Sequence, residues 1–206
     1  MNHATKEALS NVSRETSERL EIFAKLLTSW NKKINLVAPA TIGDLWERHI
    51  LDSVGVFNAC EPIPNHVADL GSGAGLPGLL MAVMDQENGG SNQFTLIESD
   101  ARKGVFCRTA AREMGVKVTV ITQRIEAAPP QNAGLVTARA LAPLPKLLDY
   151  VARHLGENGV AVLPKGAQYK KEVEDARQTW NFTVETRPSL SDSNSAILRI
   201  GDLTRA

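Results

Sequence analysis

Beyond Pro64 the sequence alternates between short apolar runs and longer segments of helical period, and that alternation restricts the fold more than any other feature. Val67–Leu70, Phe94–Glu98, Val116–Ile121, Leu135–Ala138 and Val160–Leu163 read as strands. Stretches over Leu79–Met84, Arg102–Met114, Leu144–His154 and Lys170–Gln178 read as helices. Strands joined through helices lie parallel, and a parallel sheet needs helices on both faces. Phe182–Glu185 and Ala196–Ile200 leave little room for a crossover helix, so they are expected to pair as an antiparallel hairpin. The expected class is α/β: a doubly wound, mostly parallel, Rossmann-like sheet with a C-terminal antiparallel hairpin and an N-terminal helical cap.

The cap is expected to occupy residues 1–64 and the sheet residues 65–206, as one compact unit. Leu20, Phe23, Leu27 and Trp30 recur at helical spacing within a helix read from about Thr5 to Trp30. A second helix is read from Thr41, with Thr41 and Asp44 as a capping-box-like pair. Ile42, Trp46, Ile50, Val54 and Phe57 form its apolar face, and Pro62 and Pro64 end it.

Between the first strand and its helix lies Asp69-Leu-Gly-Ser-Gly-Ala-Gly-Leu-Pro-Gly78. Glycine permits the positive φ of a sharp strand-to-helix turn and lets the backbone approach a ligand closely. In open α/β sheets ligands bind at this carboxyl end of the strands. Two cofactors compete for such a turn. Gly73-Ala-Gly-Leu-Pro-Gly78 matches the dinucleotide fingerprint, and Glu98 lies at the end of the next strand, where an acid would bind a ribose diol. Asp69, two residues before Gly71, suits the ammonium group of S-adenosylmethionine better than a diphosphate, which it would repel. The terminal hairpin and the lack of a second substrate domain also favour S-adenosylmethionine over NAD. Three alternating glycines serving connection alone would lose backbone entropy without return.

These residues carry a family resemblance. Trp30-Asn-Lys-Lys-Ile-Asn-Leu36, Arg48-His-Ile-Leu-Asp-Ser53, the glycine turn, Thr137-Ala-Arg-Ala140 and Leu163-Pro-Lys-Gly166 occur in the order and spread seen in the bacterial small-subunit ribosomal RNA methyltransferase G family, also called glucose-inhibited division protein B. The chain resembles that family over most of its length. The resemblance implies the methyltransferase type of Rossmann-like sheet and N7-methylation of one guanosine in the decoding region of 16S rRNA. Its cofactor positions correspond to Gly71, Leu76, Ile125, Glu126 and Arg139, beside Asp69, Gly73 and Glu98 from the reading of the turn. Family members often carry Asp where this chain has Glu98, and both are carboxylates.

Guanine N7 has a lone pair and no proton to lose, so no catalytic acid or base is assigned; in-line positioning carries the reaction. His49, Arg139 and Lys165 are the candidate substrate contacts. His49 and Asp52 lie three residues apart on one helix and can interact. A packing histidine, a strand-end ion pair and a solvated loop lysine are the plainer readings of His49, Arg139 and Lys165. Lys32-Lys33, Arg102-Lys103, Arg108, Arg112 and Lys170-Lys171 are candidates for phosphate contact, although short charge pairs are usually solvated surface.

Composition adds limits. Lys plus Arg and Asp plus Glu both total 23, so any basic footprint is local rather than global. Aromatics make up 5%, with no stripe for single-strand stacking. Cys60 and Cys107 suggest neither a disulfide framework nor a zinc site. No apolar run approaches the roughly 20 residues of a membrane span, and the polar N-terminus lacks a signal-peptide core. The expected partner is 16S rRNA or the small ribosomal subunit, met by a monomer in the cytoplasm without a membrane. A methyltransferase for a small molecule or protein, a nicotinamide-dependent oxidoreductase and a non-catalytic binding module are the rival readings.

Overall fold

The computed structural model describes Leu9 and residues 12–206. Strands β1 (His66–Leu70), β2 (Gln93–Ile97), β3 (Thr119–Ile121), β4 (Ala133–Ala138), β5 (Leu155–Lys165), β6 (Trp180–Pro188) and β7 (Ala196–Arg205) form one sheet in the order β3-β2-β1-β4-β5-β7-β6. β1 to β5 pair in parallel, whereas β7 runs antiparallel to both β5 and β6. The hairpin is present, but β7 inserts between β5 and β6 rather than extending the edge. A single antiparallel strand thus sits one place inside the margin, which an all-parallel dinucleotide sheet lacks.

Successive residues of a strand point to opposite faces, and here they enter two separate cores. Val67, Leu135 and Val162 pack beneath α1 (Arg14–Asn31), α2 (Leu51–Ala59), α3 (Gly78–Glu87) and α4 (Ala101–Met114). Their chain neighbours Ala68, Val136 and Ala161 pack beneath α5 (Leu144–His154) and α6 (Tyr169–Ala176). The N-terminal helices share the first of these cores. Phe23 and Trp30 of α1 meet Phe106 of α4 edge-on, with ring centroids 6.2 and 5.6 Å apart.

The elements differ from the sequence reading in places with local causes. α1 begins at Arg14, where Ser13 Oγ accepts from the Thr16 N–H as an N-cap; Thr5–Ala8, Ser10 and Asn11 of the helix read from Thr5 lie outside the described residues. Thr41 caps nothing: it ends a 3₁₀ turn over Pro39–Thr41, and its hydroxyl donates to the Ala38 carbonyl. The second helix instead enters through a π turn, Trp46–Ile50, continuous with α2. β3 starts at Thr119 rather than Val116, because Gly115 ends α4 at φ +68° and Val116 N–H is spent on the Ala111 carbonyl. Pro77 stands just before α3 rather than inside its first turn, after a cis Leu76–Pro77 bond. Among the described residues, no helix is long and apolar enough to cross a membrane.

Candidate functional site

The glycine turn leaves the end of β1 and folds back over it. Ser72 N–H donates to Ile97 O at 3.1 Å, tying the turn to the end of β2, and Gly75 N–H closes the turn onto Ser72 O at 2.7 Å. Gly71 and Gly75 show why only glycine serves. Each has positive φ, +63° and +77°, and an added Cβ would lie 2.6 Å from Leu141 Cδ1 or 2.3 Å from Leu79 Cδ1. At Gly73, by contrast, a Cβ would meet only Gly71 O at 3.8 Å, so that glycine borders open volume.

That volume is a cleft of about 530 Å³ at the carboxyl ends of β1, β2 and β4. Gly71, Gly73, Leu76, Glu98, Ile125, Glu126, Arg139 and His49 all line it, from segments up to 90 residues apart in sequence. Two expected site residues do not. Asp69 lies beneath the turn, 1% exposed, with Oδ2 accepting from Gly78 N at 3.3 Å and Oδ1 from Thr137 Oγ1 at 2.8 Å. Its carboxylate therefore braces the turn against α3 and β4. Burial raises its pKa to about 6, with the hydrogen bonds opposing that rise. Lys165 is outside the lining; its Nζ pairs with Glu172 at 2.6 Å and donates to Ala142 O at 2.9 Å, pinning α6 to the loop after β4.

Glu98 faces the cleft with its carboxylate fixed by backbone amides. Oε2 accepts from Gly73 N at 2.8 Å and Oε1 from Asp100 N at 2.7 Å. Each oxygen retains a second lone-pair direction.

On the opposite wall a network of half-buried side chains around the buried His49 surrounds Arg139. Its Nη2 donates to His49 Nδ1 at 2.5 Å and to Arg48 O at 3.1 Å. Asp52 Oδ2 lies 3.8 Å from the same nitrogen. His49 and Asp52 thus meet through Arg139. Asp52 is held from the other side by the hydroxyls of Ser189 (3.0 Å) and Ser191, in the β6–β7 loop. His49 Nε2 lies 2.8 Å from Thr41 Oγ1. Burial, then the charges of Arg139 and Arg48, lowers the His49 pKa to about 4. Arg139 Nη1 is buried and has no hydrogen-bond partner.

A further clamp holds the far end of the cleft. His154, fully buried at the end of α5, bonds through Nε2 to Ile125 O at 2.9 Å, and Arg153 Nη2 donates to Ala128 O at 2.8 Å. The cleft also takes in Thr41, Lys103, Arg124 and Tyr150, which sequence reasoning does not place there. Lys103 and Arg124 carry a faint signal as cations next to a strand end; Thr41 and Tyr150 carry none. Among the described residues, no group of three or more His, Cys, Asp or Glu side chains could hold a metal ion.

Comparison with known proteins adds the family. Residues 16–197 match the family model described as rRNA small subunit methyltransferase G. Proteins named ribosomal RNA small subunit methyltransferase G are similar over nearly the whole chain. One from Ruegeria sp. is 50% identical over 95% of both chains, and one from Gluconobacter oxydans is 45% identical over 96% of this chain and 99% of its own. Solved structures share the fold at lower identity. A ribosomal protein L11 methylase from Lactobacillus delbrueckii subsp. bulgaricus gives a TM-score of 0.57 at 18% identity, over 74% of this chain and 76% of its own. A SAM-dependent methyltransferase from Aquifex aeolicus gives 0.57 at 14%, over 84% and 96%.

Proposed function

Because the chain belongs to the rRNA small subunit methyltransferase G family, we propose that it transfers the methyl group of S-adenosylmethionine to N7 of one guanosine in the decoding region of 16S rRNA. Methylation of ribosomal RNA is the family's reaction class; the methyl donor, the atom methylated and the position are the reading offered here. The observation that carries the reading is the convergence of Gly71, Gly73, Glu98, Ile125, Glu126 and Arg139 on one cleft at the carboxyl end of the sheet.

The residues fit that donor. Gly73 opens a cradle that a side chain would begin to fill. Glu98 offers fixed carboxylate lone pairs to a ribose diol. Arg139 brings a half-buried cation whose buried Nη1 is unpartnered, suited to a carboxylate. Asp69 acts through the turn's geometry rather than by direct contact. The bound donor supplies an electrophilic methyl group, which the N7 lone pair takes without any proton leaving the base.

This chain's own part is then positional and electrostatic. The turn and Glu98 fix one end, and the Arg139–His49 wall fixes the other. The carboxylates of Glu98 and Glu126 face the cleft in which positive charge passes to the base. His49 is neutral at physiological pH and serves as a hydrogen-bond partner of Arg139 rather than as an acid. In this reading the protein works as a monomer in the cytoplasm, where small subunits assemble. The embedded Gly-x-Gly-x-x-Gly favours no nicotinamide alternative, because β7 breaks the all-parallel dinucleotide sheet.

The test is incorporation of labelled methyl from S-adenosylmethionine into small ribosomal subunits and into deproteinised 16S rRNA. Label in at least one substrate is expected. Absence of label from both, or thermal stabilisation by NAD but not by S-adenosylmethionine, would sink the reading.

A further inference from the structure

The formal net charge of zero conceals a strong local asymmetry. From Ala101 to Arg124 the chain carries six cations (Arg102, Lys103, Arg108, Arg112, Lys117 and Arg124) and a single carboxylate, Glu113. The fold gathers these residues along one margin. α4 packs against the end of β3, the strand at that edge of the sheet. There Arg108 Nη1 donates to Thr122 Oγ1 at 3.2 Å. Ala101, Val105, Arg108 and Arg112 follow at helical spacing on the exposed side of α4. Lys103 and Arg124 come from the start of α4 and the segment after β3, and both line the cleft.

Elsewhere many helical cations are paired within their own helix. α1 pairs Arg14 with Glu18, Arg19 with Glu15 and Lys25 with Glu21; α6 pairs Lys171 with Asp175. On the α4 margin Arg102 has Asp100 and Arg112 has Glu113. Among the described residues, no carboxylate forms an ion pair with Lys103, Arg108, Lys117 or Arg124. A helix that leaves cations unmatched forgoes the few tenths of a kcal/mol that paired neighbours give, and a one-signed surface suits a polyanion. Val105, 46% exposed on the same face, adds apolar area for a sugar or base.

We propose that the outer face of α4, with Lys117 and Arg124, seats the phosphate backbone of the RNA substrate along a track that ends at the cleft. The proposal rests on ribosomal RNA being the substrate. Lys103 and Arg124 then hold phosphates nearest the reacting base, while Arg108, Arg112 and Lys117 hold them farther along.

The test uses the full-length triple variant Arg108→Gln, Arg112→Gln, Lys117→Gln, whose positions lie outside the cleft. Affinity for S-adenosylmethionine is expected to stay at the wild-type value. Affinity for rRNA is expected to fall on the order of tenfold or more at moderate salt, and the slope of log affinity against log salt to shrink by about 0.7 for each phosphate that the variant no longer neutralises. Equal rRNA affinity and equal slope in variant and wild type would overturn the proposal alone. Weakened binding to anionic vesicles with rRNA binding unchanged would assign the face to a lipid surface and also overturn it. Failure of the wild type to methylate any ribosomal substrate would overturn the reading of function, and this proposal with it.

Discussion

The Arg139 guanidinium donates to His49 Nδ1 at 2.5 Å, and that contact fixes the state of the imidazole. A guanidinium has no acceptor, so Nδ1 must carry the lone pair. The proton resides on Nε2 and points to Thr41 Oγ1, whose own hydroxyl proton goes to Ala38 O. The chain of hydrogen bonds from β4 through the second helix to the 3₁₀ turn is therefore polarised in one direction and leaves no room for a second imidazole proton.

The first expectation concerns pH. With its pKa lowered from 6.5 to about 4, His49 binds a proton in the unfolded chain that it refuses in the folded one. Its contribution to stability is full above pH 6.5 and is lost as pH falls through about 4. Urea unfolding of wild type and His49→Gln across that range should show the wild-type advantage shrinking with acid. NMR should find the His49 ring neutral at about pH 6 with the proton on Nε2; a charged ring there would refute the network.

The second separates backbone strain from crowding in the glycine turn. Gly75 and Gly115 both have positive φ, but a Cβ at Gly75 would strike Leu79 whereas one at Gly115 meets nothing within 4 Å. Gly115→Ala should cost about 1–2 kcal/mol, from backbone strain alone. Gly75→Ala should cost more than that and should also abolish cofactor binding. Calorimetric binding and thermal unfolding of both variants decide it; equal losses would show that crowding is immaterial.

The third concerns the buried acid under the turn. Asp69→Ala strands the Gly78 N–H and the Thr137 hydroxyl, and should cost about 1–3 kcal/mol. The Asp69 pKa is raised from 3.8 to about 6, so the stability it adds is complete below pH 3.8 and fades as pH rises through 6. The gap between wild type and Asp69→Ala in urea unfolding should therefore be wider at about pH 4.5 than at about pH 7. A gap that widens toward neutral pH would contradict the burial account.

The fourth concerns the far end of the cleft. His154→Leu removes the bond to Ile125 O, leaving that carbonyl without its clamp. The KM for S-adenosylmethionine should rise about tenfold, the value of one buried hydrogen bond, with kcat little changed. His154→Gln, which can still donate, should recover part of the loss. A fall in kcat at constant KM would place His154 in the chemistry instead.

What the sequence discloses, and what it withholds, follows from the range of the interactions. Period and glycine pattern are local, so the strands, the turn and its place at the carboxyl ends are legible directly. Spacing to Asp44 makes Thr41 look like a helix cap. Its hydroxyl is instead taken up by Ala38 O and His49 because the chain makes a 3₁₀ turn there, which the capping pattern does not record. Asp69 looks like a ligand because its position beside the glycines is visible, whereas its partner Thr137 lies 68 residues away. The insertion of β7 between β5 and β6 is likewise a long-range choice. In the opposite direction, the six-to-one charge imbalance of residues 101–124 is present in the sequence but dispersed among short pairs. Only the fold shows that they lie along one margin of the sheet.

The central claim is that this cleft delivers a methyl group to guanine N7 in small-subunit rRNA. The most direct measurement is methyl transfer from labelled S-adenosylmethionine to small subunits and 16S rRNA, followed by digestion to nucleosides and mapping of the labelled position. The expected result is label confined to 7-methylguanosine at a single site in the decoding region. Label in any other nucleoside, label spread over many guanosines, or no transfer at all would contradict it.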